Sequence, residues 1–92
     1  MSALFTVEAK GRAAKFIKSL NPKKKERVTE IISMLKGNPV PVGQLDIVKL
    51  KGYDGMYRIR IGDVRIVYEV FWNQGRILLH YAGPRAKAYD NV

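Results

Sequence analysis

The 92 residues carry 17 Lys and Arg against 8 Asp and Glu, a net charge of +9. One domain and one modest core fit this length. With no cysteine there is no disulfide or thiolate metal site, and a single histidine leaves zinc only carboxylates, with no ligand spacing. The start MSALFTVEAKGR lacks the apolar core of a signal peptide, and no apolar run approaches the roughly 18 residues of a membrane span. The expectation is one domain over residues 1–92, cytoplasmic, without cofactor or membrane contact. The charge excess attracts polyanions: nucleic acid, an acidic protein, or both.

Leu4–Val7 reads as a short first strand. Glu8–Leu20 predicts a helix, with Ala13, Phe16, Ile17 and Leu20 at helical spacing and Lys10, Arg12, Lys15 and Lys18 outside. Asn21 and Pro22 suit the cap and first position of a second helix. Val28, Ile31, Ile32 and Leu35 give its buried stripe, and Gly37-Asn38-Pro39 stops it. The two-residue break predicts an antiparallel helix pair. Val40–Leu45 is a loop, Asp46–Lys51 a short strand and Gly52–Gly55 a turn. Met56–Ile61, Val64–Trp72 and Arg76–Ala82 then form a meander, followed by a short polar tail from Gly83.

The meander's faces follow from its turns. A two-residue Gly62-Asp63 loop favours a primed turn and pairs Ile61 with Val64, Arg60 with Arg65, Ile59 with Ile66 and Arg58 with Val67. Side chains alternate, so Tyr57, Ile59, Ile61, Val64, Ile66, Tyr68 and Val70 form a core face. Arg58, Arg60 and Arg65 take the other face, where the facing Arg60–Arg65 pair asks for a counter-charge. Arg65→Ala is therefore expected to remove function without unfolding the domain. An even-length loop at Asn73-Gln74-Gly75 pairs Trp72 with Ile77, Val70 with Leu79 and Tyr68 with Tyr81, and sets Glu69 opposite His80 on the arginine face.

The stretch LKGYDGMYRIRIGDVRIVYEV, followed by LLHYAGPRAKAY, resembles the RelE branch of the RelE/ParE superfamily of toxin–antitoxin toxins. The helices, meander and basic tail fall in the family order over essentially the whole chain. The resemblance implies an α+β fold, an antiparallel four- to five-stranded sheet with an N-terminal helical hairpin packed on one face. It implies a toxin restrained by an acidic antitoxin, with operator DNA reached through that antitoxin. The implied activity is metal-independent, ribosome-dependent cleavage of mRNA in the A site.

By position, the implied catalytic set is Arg58, Arg60, Arg65, Arg85 and Tyr89. Lys49, Lys51, Lys23, Lys24, Lys25 and Lys87 are the implied RNA contacts. In the best-studied bacterial pattern the two third-strand residues are lysines, and arginine in practice cannot replace lysine as a base. Glu69 and His80 are the titratable candidates for acid or base on that face. For His80 the plainer reading is a strand residue hydrogen-bonded to Glu69, and for the lysine run a solvated helical turn. Two rival readings keep the fold and change the function: a ParE-like inhibitor of DNA gyrase, or a catalytically degenerate protein that only binds its antitoxin.

Overall fold

The computed structural model describes residues 4–84. The chain runs β1 (Thr6–Ala9), α1 (Gly11–Ser19), α2 (Pro22–Gly37), β2 (Asp46–Lys49), β3 (Met56–Ile61), β4 (Val64–Phe71), a 3-10 turn (Trp72–Gln74) and β5 (Arg76–Pro84). The strands form one five-stranded sheet in the order β1-β5-β4-β3-β2, with both helices contributing to the core on one face. The α+β architecture expected from the sequence is present.

The sheet is not wholly antiparallel. β1 runs parallel to β5, pairing Thr6 with Arg76 and Ala9 with Leu79. This pairing also corrects the first helix. Glu8 and Ala9 satisfy their backbone groups in the sheet, and the Lys10 N–H donates to the Leu79 carbonyl at 3.0 Å. The helix therefore starts at Gly11, not at Glu8, because ladder pairing outweighs local helix propensity. The second helix follows expectation. Asn21 caps it by accepting from the Lys24 N–H at 2.9 Å, with Pro22 in the first turn.

Ala13, Val28, Ile31 and Leu35 of the helices meet Ile59, Ile61, Val64, Ile66, Tyr68, Val70, Ile77, Leu79 and Ala82 of the sheet, all buried. Phe16, Ile17, Leu20, Ile32 and Tyr57 pack against that cluster from its margin. Burying a Leu or Ile side chain contributes roughly 1.5–3 kcal/mol, so this core is the principal source of stability. Tyr68 is wholly buried, its O–H donating to the Pro39 carbonyl at 2.8 Å, and its ring stacks on Tyr57.

The β3–β4 hairpin has the register the two-residue loop predicts: Ile61 with Val64, Arg60 with Arg65, Ile59 with Ile66 and Arg58 with Val67. Positive φ falls on Gly62 and not on Asp63, which places glycine at the first loop position as a type II′ turn requires. At the far end, Gly55 (φ +74) lies against Val70: a Cβ there would come within 2.9 Å of the Val70 carbonyl oxygen.

The β4–β5 register differs from expectation. Val70 pairs with Ile77 and Tyr68 with Leu79, two residues away from the predicted partners. Trp72 leaves the strand for the 3-10 turn, where it is half exposed and meets Phe5 edge-on at 5.8 Å between centroids. A shift between Val67 and Tyr68 then brings Tyr81 opposite Val67 and Ala82 opposite Ile66. His80 is the extra residue of this bulge. The bulge moves Tyr81 from the core face, where strict alternation places it, to the arginine face.

Candidate functional site

The sheet face turned away from the helices carries the arginines. Register places Asp46, Arg60, Arg65 and Gly83 in one row across β2, β3, β4 and β5. The next row holds Val48, Arg58, Val67 and Tyr81. Cross-strand neighbours on one face lie about 5 Å apart at Cβ, so the guanidiniums share one surface.

Asp46 answers the demand for a counter-charge. Its Oδ2 accepts from Arg60 Nε and NH2, both at 2.7 Å. A charge-assisted fork of this kind fixes the planar guanidinium. Asp46 opens β2 directly opposite Arg60, a pairing that needed the β2–β3 register to be seen.

Arg58 is half buried, and its Nε is shielded from water with no hydrogen-bond partner among the described residues. A buried N–H without an acceptor costs about 1–3 kcal/mol, which an incoming phosphate oxygen would offset. Arg65 is 2% exposed. It faces away from the helices as expected, yet it is buried there, which weighs against the expectation that Arg65→Ala would leave the fold untouched. Its stem is part of the packed structure.

Glu69 and His80 also lie on this face. Glu69 is in register with Leu78, but the bulge carries the His80 ring to it, and His80 Nε2 lies 2.8 Å from Glu69 Oε1. The pair is about three-quarters buried, with side-chain exposures of 25% and 27%.

The lysines divide. Lys24 Nζ pairs with Asp63 Oδ2 at 2.7 Å, joining the first turn of α2 to the β3–β4 turn. This contact holds the Asp63 carboxyl below its ordinary range. Lys23 and Lys24 line a groove of about 650 Å³ whose other wall includes Asp46, Arg60 and Asp63, so the lysine turn and the arginine row share a surface. Lys25 is exposed outside that groove. Lys49 is in register with Tyr57, on the helix side of the sheet, and Lys51 lies in the turn beyond β2. Neither belongs to the arginine face. Arg85, Lys87 and Tyr89 lie outside the described residues.

Sequence reasoning missed Asp46 and Tyr81. The signal for Tyr81 was available. The apolar series Ile77, Leu79, Ala82 breaks strict alternation by one residue, the mark of a bulge between them.

Among the described residues no group of three or more His, Cys, Asp or Glu is placed to hold a metal, and no helix is long and apolar enough to cross a membrane.

Comparison with known proteins shows the family. A family model described as the ParE toxin of type II toxin–antitoxin systems, parDE, matches residues 3–89. The Methanocaldococcus jannaschii protein that carries the name toxin RelE1 is 40% identical over 87 residues, covering 95% of this chain and 97% of that one. The RelE–RelB complex of Pyrococcus horikoshii OT3 superposes with a TM-score of 0.82 at 30% identity, over 91% of this chain and 98% of that one. The RelB–RelE antitoxin–toxin complex of Methanococcus jannaschii gives 0.71 at 29% identity, over 90% and 95%. Isolated Escherichia coli RelE shares the fold, with a TM-score of 0.73 at 20% identity over 95% of this chain and 93% of that one. The chain therefore belongs to the ParE toxin family of type II toxin–antitoxin systems, and it is a RelE-type toxin within that family.

Proposed function

We propose that this toxin is a metal-independent endoribonuclease that cleaves mRNA in the ribosomal A site, acts in the cytoplasm, and is held inactive by an acidic antitoxin. The observation that carries this reading is the gathering of Arg58, Arg60 and Arg65 on one sheet face, turned away from the core. Cleavage by the 2′-hydroxyl needs a base, charge stabilisation at the phosphorane and an acid for the 5′-oxygen. Arginine supplies fixed charge and forked donors for phosphate oxygens. Arg85 and Tyr89 are proposed to complete the catalytic set, and Lys23, Lys24, Lys25, Lys49, Lys51 and Lys87 to contact RNA at its margins.

The base is the open position. Glu69 and His80 are hydrogen-bonded to each other, which supports the reading of His80 as a strand residue held by its neighbour. The reaction then proceeds by positioning and electrostatic stabilisation. His80→Gln and Glu69→Gln should each retain most of the single-turnover rate. Arg85→Ala should lose about a hundredfold, the size of one lost transition-state donor. His80→Gln as damaging as Arg85→Ala, in folded protein, would make His80 the base.

The antitoxin reading is supported by solved relatives that are complexes with RelB. With net charge +9, binding of an acidic antitoxin should weaken as salt rises. Primer extension on mRNA-programmed ribosomes tests the activity: cleavage at A-site codons supports it. Intact mRNA with trapped gyrase–DNA complexes would move the assignment to a ParE-like inhibitor.

A further inference from the structure

Tyr81 has no part in the functions reasoned from sequence, and three observations converge on it. The bulge at His80 turns it onto the arginine face, opposite Val67 and in the row of Arg58. Its ring is seated over Gly83: a methyl group at that glycine would collide with the Tyr81 hydroxyl and with two ring carbons. Gly83 is the cross-strand partner of Arg65. The phenol is thus carried along the strand from the Arg58 row to the row of Arg60 and Arg65.

The hydroxyl has no hydrogen-bond partner among the described residues, and the side chain is only partly buried. The other tyrosine of the adjacent strand pair behaves differently. Tyr68 is fully buried and spends its O–H on the Pro39 carbonyl. A tyrosine whose ring is seated by a glycine, and whose donor is left open beside guanidiniums, has the form of a fixed neutral donor in a cationic site.

We infer that Tyr81 is a phosphate-binding residue of the arginine face: its O–H donates to a phosphate oxygen of an RNA strand lying along that face, and Gly83 is glycine to seat the ring that aims it. The phenol adds direction without charge. Arginine forks bind phosphate strongly, and a neutral donor beside them selects one orientation of the strand. The inference rests on the proposed RNA cleavage and names a further residue for it.

The test is single-turnover cleavage on mRNA-programmed ribosomes at saturating toxin, with melting temperature measured on the same preparations. Tyr81→Phe keeps the ring and its packing and removes only the donor. It should melt with the parent and cleave roughly tenfold to a hundredfold more slowly, the size of one hydrogen bond to a charged group. Gly83→Ala keeps the hydroxyl and displaces the ring, and should slow cleavage by a similar factor. If Gly83→Ala fails to fold, Tyr81→Phe decides alone. Parent-like cleavage by Tyr81→Phe, with the parent protein active, overturns the role of Tyr81 and leaves the ribonuclease reading standing. A parent protein that cleaves no ribosome-bound mRNA overturns both.

Discussion

The two faces of the β3–β4 hairpin share one backbone and differ in how they are fixed. Toward the helices, Ile59, Ile61, Val64, Ile66, Tyr68 and Val70 are all buried in one cluster, each held by many neighbours. On the other side, Arg60 is held by the Asp46 carboxylate, and Arg58 keeps a shielded donor without an acceptor among the described residues. The first face is specified redundantly, so that no one residue decides its placement. The second is a set of individual arrangements, each open to removal without loss of the fold. Arg65 is the exception, since it is as buried as the core while lying on the charged side.

The sharpest way to break this contrast is a deletion on the helix side. Ile59→Ala should cost about 2–5 kcal/mol in urea unfolding, the range for truncating a buried Ile. A cost below about 1 kcal/mol would mean that the core is looser than its burial suggests.

Arg58→Ala addresses the opposite face. It should lower ribosomal cleavage about a hundredfold. Stability should hold or rise, because the variant removes a shielded N–H that has no acceptor among the described residues. A clear drop in melting temperature would show that this side also carries the fold. Arg65→Ala, by contrast, should lose activity and stability together, as expected for a side chain 2% exposed.

A finer cut within the core is Tyr68→Phe. It leaves the Pro39 carbonyl without its donor and should cost about 1–3 kcal/mol. Burial pushes the Tyr68 phenol well above its ordinary range. Its contribution is therefore complete below the unfolded tyrosine pKa of about 10 and is lost as pH rises beyond it. A pH series of melting temperatures should show the alkaline decline shrink in the phenylalanine variant.

The smallest effect belongs to Asp63. Lys24 lowers its pKa, so the stabilisation is present above the ordinary carboxylate range and is lost as pH falls through the folded value. Both partners are well exposed, and Asp63→Asn should move the melting temperature only slightly at neutral pH. A large shift would make the tie between α2 and the β3–β4 turn more than a surface contact.

Much of the architecture was legible because local rules fixed it. The two-residue loop at Gly62-Asp63 sets the hairpin register, and alternation then sorts arginines from core residues. Asn21-Pro22 marks the start of α2 for reasons contained in two residues. The rest depends on partners distant in sequence. Glu8 reads as helix until Leu78 pairs with it, and Asp46 reads as a strand start until Arg60 lies opposite. Tyr81 reads as core until the bulge at His80 reverses it. The cost of a one-residue slip is that every following side chain changes face.

The parallel pairing of β1 with β5 sets an order on folding. Arg76 grips Glu8 through Nε and NH2 at 2.9 and 2.7 Å, a contact that spans 68 residues of sequence. β5 is an interior strand, flanked by β1 and β4, and it is synthesised after both. While a ribosome is still making β5, β1 has no neighbour to pair with and the bulge that aims His80 and Tyr81 does not exist. Closing such a long loop is slow as well as late. The nascent chain can therefore pair β2, β3 and β4 and gather its arginines first, while the Tyr81 edge of that face and the pairing of β1 wait until β5 is free to dock.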